Sequence, residues 1–276
     1  MSTAPRETQP GTAPTPVATE ASAAEEAPVQ PTTDSHDWSV PEIFRSHIIG
    51  QRKKGFPRKL LALTIDDGPS PSDTPVVLEK LRQYGAHATF FVLGYNASRW
   101  PKLVAQAAAE GHCVGIHSYS HIAKCTSEQA VKNLHLTAEM IERATGKKPT
   151  VFRPPYGITT NELTKLARKE GYPVILWSLS SADTSPRIFR NADLIARNVI
   201  FTPNPGEIIL MHDGGGHMAS ARALDQIIPQ LQAKGWEFVT VPELLRAWAE
   251  WMAAQPPKAP PPNTSAGKES DRAPTP

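Results

Sequence analysis

The sequence predicts an α/β domain built on a parallel sheet, and two observations support this fold class. From residue 60 onward, short apolar segments of strand type alternate with helical segments. Such alternation favours right-handed βαβ units, in which the strands of one sheet run parallel. About seven such units within about 200 residues suit a barrel at least as well as an open, doubly wound sheet. Periodicity alone therefore leaves these two architectures open.

The individual elements follow from apolar runs and from the glycines that end several helices. Strands are predicted at 60–66, 88–94, 112–117, 150–153, 173–180, 207–212 and 237–241. Helices are predicted at 71–84, over a segment ending at Gly111, and at 127–144, 160–170, 191–200, 219–234 and 242–254. In the longest helix, one apolar face comprises Val131, Leu134, Ala138 and Ile141, and Gly146 follows as its stop.

Both ends of the chain differ in composition from this domain. Residues 1–40 contain six prolines among many Ala, Thr, Ser and Glu residues, and residues 256–276 contain seven more. Segments with so few large apolar side chains cannot bury enough surface to offset the entropy lost on ordering. We therefore predict disordered tails at 1–44 and 256–276 and a single folded domain at 45–255.

Charge, cysteine usage and hydropathy exclude several classes of partner. The formal net charge of +2 is divided between −5 in residues 1–40 and +7 in the rest of the chain. No Lys/Arg run or aromatic–basic interleaving predicts nucleic-acid binding. Cys113 and Cys125 form neither a disulfide framework nor a Cys-x-x-Cys metal motif. No apolar stretch reaches the length of a membrane span, which is about 18 residues. We expect the protein to be a monomer.

The N-terminal sequence leaves localisation open. It lacks the apolar core of a signal peptide. Its Pro/Ala/Thr/Glu composition nevertheless resembles the linker that follows a removed signal or anchor. An extracytoplasmic or cell-wall-associated position is therefore favoured.

Two neighbouring carboxylates end the first predicted strand. Asp66 and Asp67 are followed at once by Gly68-Pro69, a sharp turn. Adjacent strand residues point to opposite faces, so the chain must bend before both carboxylates can share one environment. With such a bend, one could bind a metal while the other acts as a base. Asp-Gly-Pro is also an ordinary turn sequence.

Two histidines follow the third predicted strand. We interpret His117 and His121 as i,i+4 neighbours on one face of a helical turn, an arrangement that suits joint metal coordination. An isolated pair of this kind also occurs by coincidence. With Asp67 the histidines form an Asp-His-His set that leaves coordination positions open for water and substrate, as in catalytic metal sites.

Two further motifs fall at the ends of later strands. The prolines after Arg153 stiffen its loop and leave the amide of Tyr156 free to donate a hydrogen bond, while Arg153 can pair with a carboxylate. His212 ends the sixth strand before Gly214-Gly215-Gly216, where it could be a general acid or could simply cap the strand. Carboxyl ends of parallel strands share one rim in α/β folds, so these signals together predict an active site there.

These residues resemble the polysaccharide deacetylase family, also called carbohydrate esterase family 4 or the NodB-homology domain. Thr64–Pro69 is similar to the first motif of that family, His117–His121 to the second and Arg153–Gly157 to the third. Asp183 stands at the position of the fourth motif, and Leu210–Asp213 is similar to the fifth. The five motifs occur in order across nearly the whole predicted domain, so the resemblance is highly specific.

The resemblance implies a distorted (β/α)7 barrel, and thereby decides between the two architectures. It also implies that Asp67, His117 and His121 hold a divalent metal, usually Zn²⁺ in this family. Leu210 and Pro154 would line the pocket for the acetyl group. No cofactor beyond the metal is implied.

The remaining roles implied by the resemblance concern proton transfer and charge. Asp66 would be the general base, oriented by Arg153. His212 would be the general acid, tuned by Asp183. The amide of Tyr156 would stabilise the oxyanion of the tetrahedral intermediate.

Three positions depart from the usual family pattern. Ile65 replaces a Phe, an apolar exchange of little consequence. Ile116 stands where many members carry Asn, which removes one possible hydrogen bond near the first histidine. Thr184 replaces the Trp that forms part of a substrate wall in many members.

The function implied is hydrolysis of N-acetyl groups on N-acetylhexosamine residues of peptidoglycan, chitin or chitooligosaccharide, with release of acetate. Two alternatives differ in substrate or in class. The same site could remove O-acetyl groups from acetylated xylan, or the chain could be a non-catalytic carbohydrate-binding module. Retention of the complete set of catalytic residues argues against the binding module. The sequence does not choose among the polymers.

Overall fold

The computed structural model describes residues 37–256, and most of the two predicted tails lies outside them. The described strands are β1 (Ile48–Ile49), β2 (Leu60–Asp66), β3 (Thr89–Leu93), β4 (Cys113–Ser118), β5 (Val174–Ile175), β6 (Leu179–Ser180), β7 (Glu207–His212) and β8 (Glu237–Val239). The α-helices are α1 (Thr74–Tyr84), α2 (Gly94–Arg99), α3 (Pro101–Ala109), α4 (Ser127–Thr145), α5 (Glu162–Lys169), α6 (Ala192–Ile200), α7 (Met218–Gln232) and α8 (Val241–Ala253). Two 3₁₀ turns lie at Glu42–Phe44 and Pro155–Gly157.

All described strand pairs are parallel, and β2 is the central strand. The sheet has the order β4-β3-β2-β7-β6. On one side, Leu61–Asp66 of β2 pairs with all of β7. β3 pairs with the last three residues of β2, whereas β8 pairs with the first three. Every residue of β2 is buried, as expected for a parallel strand with both faces covered.

An irregular segment closes the sheet into a distorted barrel. Phe152 forms single bridges to Ile116 of β4 and to Val174 of β5. Further along the same segment, Ser178 donates from its backbone N–H to the carbonyl of Ile208 in β7 at 3.0 Å. The chain from β5 to β6 therefore joins the two ends of the sheet, and the predicted barrel is confirmed.

Two predicted strands differ most from the structure. The fourth, 150–153, is reduced to the bridges at Phe152, because Pro154 and Pro155 follow and cannot donate to a strand ladder. The fifth is divided into β5 and β6, which pair with different neighbours.

The predicted helix ending at Gly111 consists of two helices in the structure. α2 ends at Arg99 and α3 begins at Pro101, because proline lacks the N–H group that a continuous helix needs. The stop of the longest helix is as predicted, and Leu134 and Ile141 are buried, but Val131 is 40% exposed and does not belong to the buried face. α4 begins with a capping box between Thr126 and Gln129 and ends at Gly146, which adopts the left-handed conformation.

The boundary predicted between residues 44 and 45 falls inside ordered structure. Trp38 and Phe44 are both buried, with 5% and 4% of their surface exposed. The indole of Trp38 donates to the carbonyl of His112 at 3.2 Å, and Phe44 packs edge-on against Trp248. The prediction was wrong for residues 37–44 because two aromatic side chains were averaged into a Pro- and Ala-rich composition. No helix in the described part of the chain is long and apolar enough to cross a bilayer.

Candidate active site

The turn after β2 brings the two neighbouring carboxylates to the same place. Asp67 adopts a left-handed backbone conformation, with φ of 75°, which is unfavourable for a residue with a side chain. The turn is held by the side-chain amide of Asn96, which donates to the backbone carbonyl of Asp67 at 2.8 Å. As a result, carboxylate oxygens of Asp66 and Asp67 lie 3.9 and 3.4 Å from Nε2 of His117. The bend expected from the sequence is therefore present.

The two histidines are joined by a loop that Asn133 holds in place. His117 belongs to β4, while Ser118 and His121 have positive φ values of 108° and 54°. The side-chain oxygen of Asn133, on α4, accepts from the backbone N–H of Tyr119 at 3.1 Å. The interpretation as a helical turn was wrong, because left-handed residues turn the chain here. The loop nevertheless directs both imidazoles to one point.

Asp67, His117 and His121 have the geometry of a metal site. One potential ligand atom from each lies within 4.8 Å of the other two. Nε2 of His117 and Nε2 of His121 are 3.4 and 3.3 Å from the same carboxylate oxygen of Asp67. That buried oxygen has no hydrogen-bond partner among the described residues. One carboxylate and two imidazoles are a common donor set for Zn²⁺, so the residues fit a divalent metal.

The protonation of these groups also suits metal binding. His117 donates from Nδ1 to the backbone carbonyl of Arg153 at 2.9 Å, which leaves the lone pair of Nε2 available. Burial lowers the pKa of His121, against the opposing charge of Asp67. Burial raises the pKa of Asp67, but its close contact with His117 and the charges of His117, His121 and His212 outweigh burial and lower the value to about 2. A carboxylate and neutral imidazoles are the forms that ligate metals.

Asp66 is paired with a fully buried arginine. Arg153 donates from Nη1 to Oδ1 of Asp66 at 2.7 Å and to the hydroxyl of Thr64 at 2.7 Å. Its other nitrogens donate to the carbonyls of Ile175 and Leu176, both at 3.0 Å. The guanidinium is thus held by four hydrogen bonds that satisfy it in the barrel interior. Oδ2 of Asp66 remains directed toward the histidines.

His212 is held by a second buried carboxylate. Asp183, 1% exposed, lies 2.8 Å from Nδ1 of His212 through one oxygen and accepts from the backbone N–H of His212 through the other. Ser220 donates to that second oxygen at 2.7 Å. Burial alone would lower the pKa of His212, but the hydrogen bond and charge of Asp183, aided by Asp66 and Asp67, raise it to about 9. The imidazole is therefore protonated at neutral pH.

The other predicted site residues lie at the same rim. Tyr156 has a left-handed backbone, with φ of 57°, and its ring packs edge-on against His121 with centroids 4.5 Å apart. None of the backbone hydrogen bonds within residues 37–256 uses its N–H as donor. Pro154, two residues before Tyr156, is buried. Leu210, 7% exposed, lies two residues before His212 and so shares its face of β7.

An aromatic side chain that the sequence analysis did not single out also lies at this rim. Trp177 follows β5, and the guanidinium of Arg153 is 5.9 Å from its ring centroid. A Cβ atom at Gly157 would lie 3.1 Å from the Trp177 ring, so the two are closely packed. Thr184, where the family usually has Trp, is exposed. Trp177 therefore places an aromatic ring beside Arg153 and Gly157 at this rim.

Four polar residues that support the site were not predicted. They are Thr64, Asn96, Asn133 and Ser220. Thr64 has a signal in the sequence, because residues two apart in a strand share a face and Thr64 precedes Asp66 by two. The other three lie on helices, where no local pattern marks them, and reach the site only through tertiary packing.

Comparison with known proteins identifies the family. The family model described as polysaccharide deacetylase matches residues 53–175. A peptidoglycan-N-acetylglucosamine deacetylase of Bacillus cereus is 40% identical over 194 residues, which is 69% of this chain and 70% of that protein. The chain belongs to the polysaccharide deacetylase family. It is thus an enzyme of the hydrolase class whose relatives are deacetylases of peptidoglycan and chitooligosaccharide.

Two further polysaccharide deacetylases extend this comparison. The peptidoglycan-N-acetylmuramic acid deacetylase PdaC of Bacillus subtilis is 37% identical over 189 residues, covering 68% of this chain and 39% of that protein. The fold is similar to that of the Bc1960 peptidoglycan N-acetylglucosamine deacetylase, solved with 4-naphthalen-1-yl-N-oxidanyl-benzamide. Its TM-score is 0.67 at 36% identity, with 73% of this chain and 94% of that chain covered. The family resemblance and the barrel are therefore both confirmed.

Proposed function

We propose that this chain hydrolyses N-acetyl groups on N-acetylhexosamine units of a cell-wall glycan, with a divalent metal held by Asp67, His117 and His121. The observation that supports the proposal is that a candidate base and a candidate acid both lie beside this triad. Asp66 is the base, and His212 is the acid. Each is held by one buried partner of opposite charge, which fixes its orientation.

The role of Asp66 as the general base follows from its contacts. A bound divalent metal of the Zn²⁺ class would polarise the acetyl carbonyl and make water a better nucleophile at neutral pH. Arg153 occupies Oδ1 of Asp66 and leaves Oδ2 free on the side of the histidines. Oδ2 accepts the proton of the water that attacks the acetyl carbon. The N–H of Tyr156 donates to the oxygen that becomes negative in this step.

The role of His212 as the general acid follows from its contacts. Asp183 occupies Nδ1, so the proton available for transfer is on Nε2. An amide nitrogen is a poor leaving group until it is protonated. His212 donates this proton as the C–N bond breaks, which releases acetate and leaves a free amine on the sugar. Asp183 stabilises the protonated imidazole before transfer.

Peptidoglycan N-acetylglucosamine is the substrate that the comparisons favour. The relative at 40% identity and the solved neighbour at 36% identity are both named for this sugar, whereas PdaC is named for N-acetylmuramic acid. Peptidoglycan lies outside the cytoplasmic membrane, so the proposal places the enzyme there. It also agrees with the extracytoplasmic position favoured by the N-terminal composition.

Acetate release from a panel of substrates tests the proposal. The panel comprises peptidoglycan, chitooligosaccharide, acetylated xylan and N-acetylmuramic acid-rich fragments. We expect release from peptidoglycan and chitooligosaccharide, lost after chelation and restored by added Zn²⁺. Faster release from xylan would indicate an O-acetyl esterase. A protonated His212 favours the amide, because an ester leaving group depends less on acid assistance. No release from any member would indicate the non-catalytic alternative.

A further inference from the structure

An exposed tyrosine on α2 contacts Arg99 and Tyr119 next to the segments that carry the candidate metal ligands. Tyr95 has 49% of its surface exposed. Arg99, one helical turn further, donates from Nη1 to the Tyr95 hydroxyl at 3.0 Å, and its guanidinium is 5.5 Å from the ring centroid. The ring of Tyr119 packs edge-on against Tyr95 with centroids 6.5 Å apart. We refer to Tyr95, Arg99 and Tyr119 as the Tyr95 platform.

Two hydrogen bonds connect this platform to the segments that carry the metal ligands. Tyr95 donates from its backbone N–H to the carbonyl of Tyr119 at 2.9 Å, and Tyr119 lies between His117 and His121 in the chain. The next residue, Asn96, donates to the backbone carbonyl of Asp67 at 2.8 Å. The platform is therefore anchored to both ligand-bearing loops, so its place relative to the reaction site is defined.

The start of α2 is also closely packed. α2 begins at Gly94, directly after β3, at the carboxyl-end rim. A Cβ atom at Gly94 would lie 2.6 Å from the hydroxyl of Thr137 and 2.6 Å from the ring of Tyr119. No side chain other than hydrogen fits there without a shift. Close packing below and an exposed ring above give a rigid aromatic surface rather than a mobile side chain.

A single exposed aromatic residue is ordinary, and its orientation is what distinguishes Tyr95. Half of the residue remains exposed, and three contacts restrict its ring. An aromatic side chain whose rotamer is already fixed loses little entropy when a ligand stacks on it. Pyranose rings present an apolar C–H face to such a ring, while their hydroxyl groups point outward from the edge. Arg99 lies at that edge with donors for the hydroxyl groups.

We propose that the Tyr95 platform binds a second sugar ring of the glycan, next to the unit that is deacetylated. The pyranose face stacks on Tyr95, and Arg99 donates to its polar substituents. This inference rests on the proposed function and specifies the substrate as an oligomer that spans more than the reacting unit. The platform touches a neighbouring sugar, so it contributes to binding and not to the chemical step.

Steady-state kinetics on N-acetylglucosamine and its oligomers from the dimer to the hexamer tests this inference with the metal-loaded enzyme. We expect Tyr95→Ala to raise KM for the hexamer by about tenfold, the effect of one lost stacking contact, while kcat stays within about twofold. Hydrolysis of 4-nitrophenyl acetate should not change. Tyr95→Phe keeps the ring and should recover most of the affinity. Phe201→Ala, at an 83% exposed aromatic directly after α6, is the matched control and should leave every KM unchanged.

The outcomes separate this inference from the proposed function. Acetate release with the same KM for wild type and Tyr95→Ala on the hexamer would overturn the platform and leave the deacetylase assignment intact. An equal rise in KM for monomeric N-acetylglucosamine and for the hexamer would also overturn it, because the effect would not depend on a neighbouring unit. Absence of release from all glycans by the wild type would overturn both. Thermal unfolding of each variant shows whether a change arises from folding.

Discussion

Oδ1 of Asp66 accepts a hydrogen bond from Nη1 of Arg153 at 2.7 Å, and both side chains are almost fully buried at the end of the central strand. A buried ion pair adds little stability by itself, because desolvation offsets most of its Coulomb energy. Its effect here is geometric. With Oδ1 occupied, Asp66 has only Oδ2 to offer to the reaction site. Asp67, one residue further, faces His117 and His121 with a buried oxygen that has no hydrogen-bond partner within residues 37–256, so the two adjacent carboxylates have different surroundings.

This difference predicts that Asp66 can be neutralised without loss of the metal. Asp66→Asn keeps the size of the side chain and removes the proton acceptor, so kcat should fall by about 10²–10⁴. Metal content, measured by elemental analysis after dialysis, should remain that of the wild type. Asp67→Asn is the matched control and should lose the metal as well as activity. Metal loss in Asp66→Asn would show that this residue is a ligand.

Removal of one imidazole should release the metal. Two protein ligands hold a divalent ion far more weakly than three, and His121 lies on a loop that tolerates change better than β4. We expect His121→Ala to lose both metal and deacetylase activity while its far-UV circular dichroism stays that of the wild type. His135→Ala, at a histidine paired with Glu170 on the helical exterior, should retain both. Full metal content in His121→Ala would contradict the assignment.

The positions of the chemical groups could be predicted because they follow strand ends. Asp66, His117 and His212 each end a buried strand or lie in its last residues, and parallel strands place their carboxyl ends on one rim. Their positions at strand ends in the sequence were therefore enough to predict that they lie close together. The path between two such groups could not be predicted in the same way. Spacing cannot distinguish a helical turn from the left-handed loop that joins His117 to His121.

Closure of the barrel was also outside the reach of sequence periodicity. It depends on single backbone bridges at Phe152 and on a hydrogen bond from Ser178 to β7, which leave no repeating apolar pattern. The N-terminal limit failed for a similar reason. Trp38 is buried in a pocket formed by distant segments of the chain, because His112 lies 74 residues away from it and Lys147 lies further still. Local composition carries no information about such a pocket.

The corrected limit leads to a prediction about truncation. A chain shortened to residues 45–255 lacks Trp38 and Phe44 and should unfold at lower denaturant concentration than one of residues 37–256. Loss of a buried aromatic side chain costs about 3–5 kcal/mol, so Trp38→Ala in the full chain should account for about half of the difference. Ile43→Ala, at a residue 56% exposed, is the control and should change the free energy of unfolding little. Equal stability of the two truncated chains would restore the original limit.

The most specific prediction concerns the pH dependence that Asp183 gives to His212. The pKa of His212 is raised from 6.5 to about 9 in the folded chain, so its contribution to stability is fully present below pH 6.5 and is lost as pH rises toward 9. The rate of deacetylation should likewise fall as His212 loses its proton, so the pH–rate profile should have an alkaline limb. This limb should lie at or below pH 9, because a cation at the triad would lower the pKa of the charged imidazole. Asp183→Asn removes the negative charge that stabilises the protonated imidazole, so it should move this limb down by about 1–3 pH units.

A second variant separates the charge of Asp183 from its position. Ser220→Ala removes one hydrogen bond to the same carboxylate and leaves the charge in place, so the limb should move much less. His212→Ala should damage hydrolysis of the sugar amide far more than that of 4-nitrophenyl acetate, because a phenolate leaves without a proton and an amine does not. An unchanged alkaline limb in Asp183→Asn, or equal losses on both substrates in His212→Ala, would mean that another group is the acid.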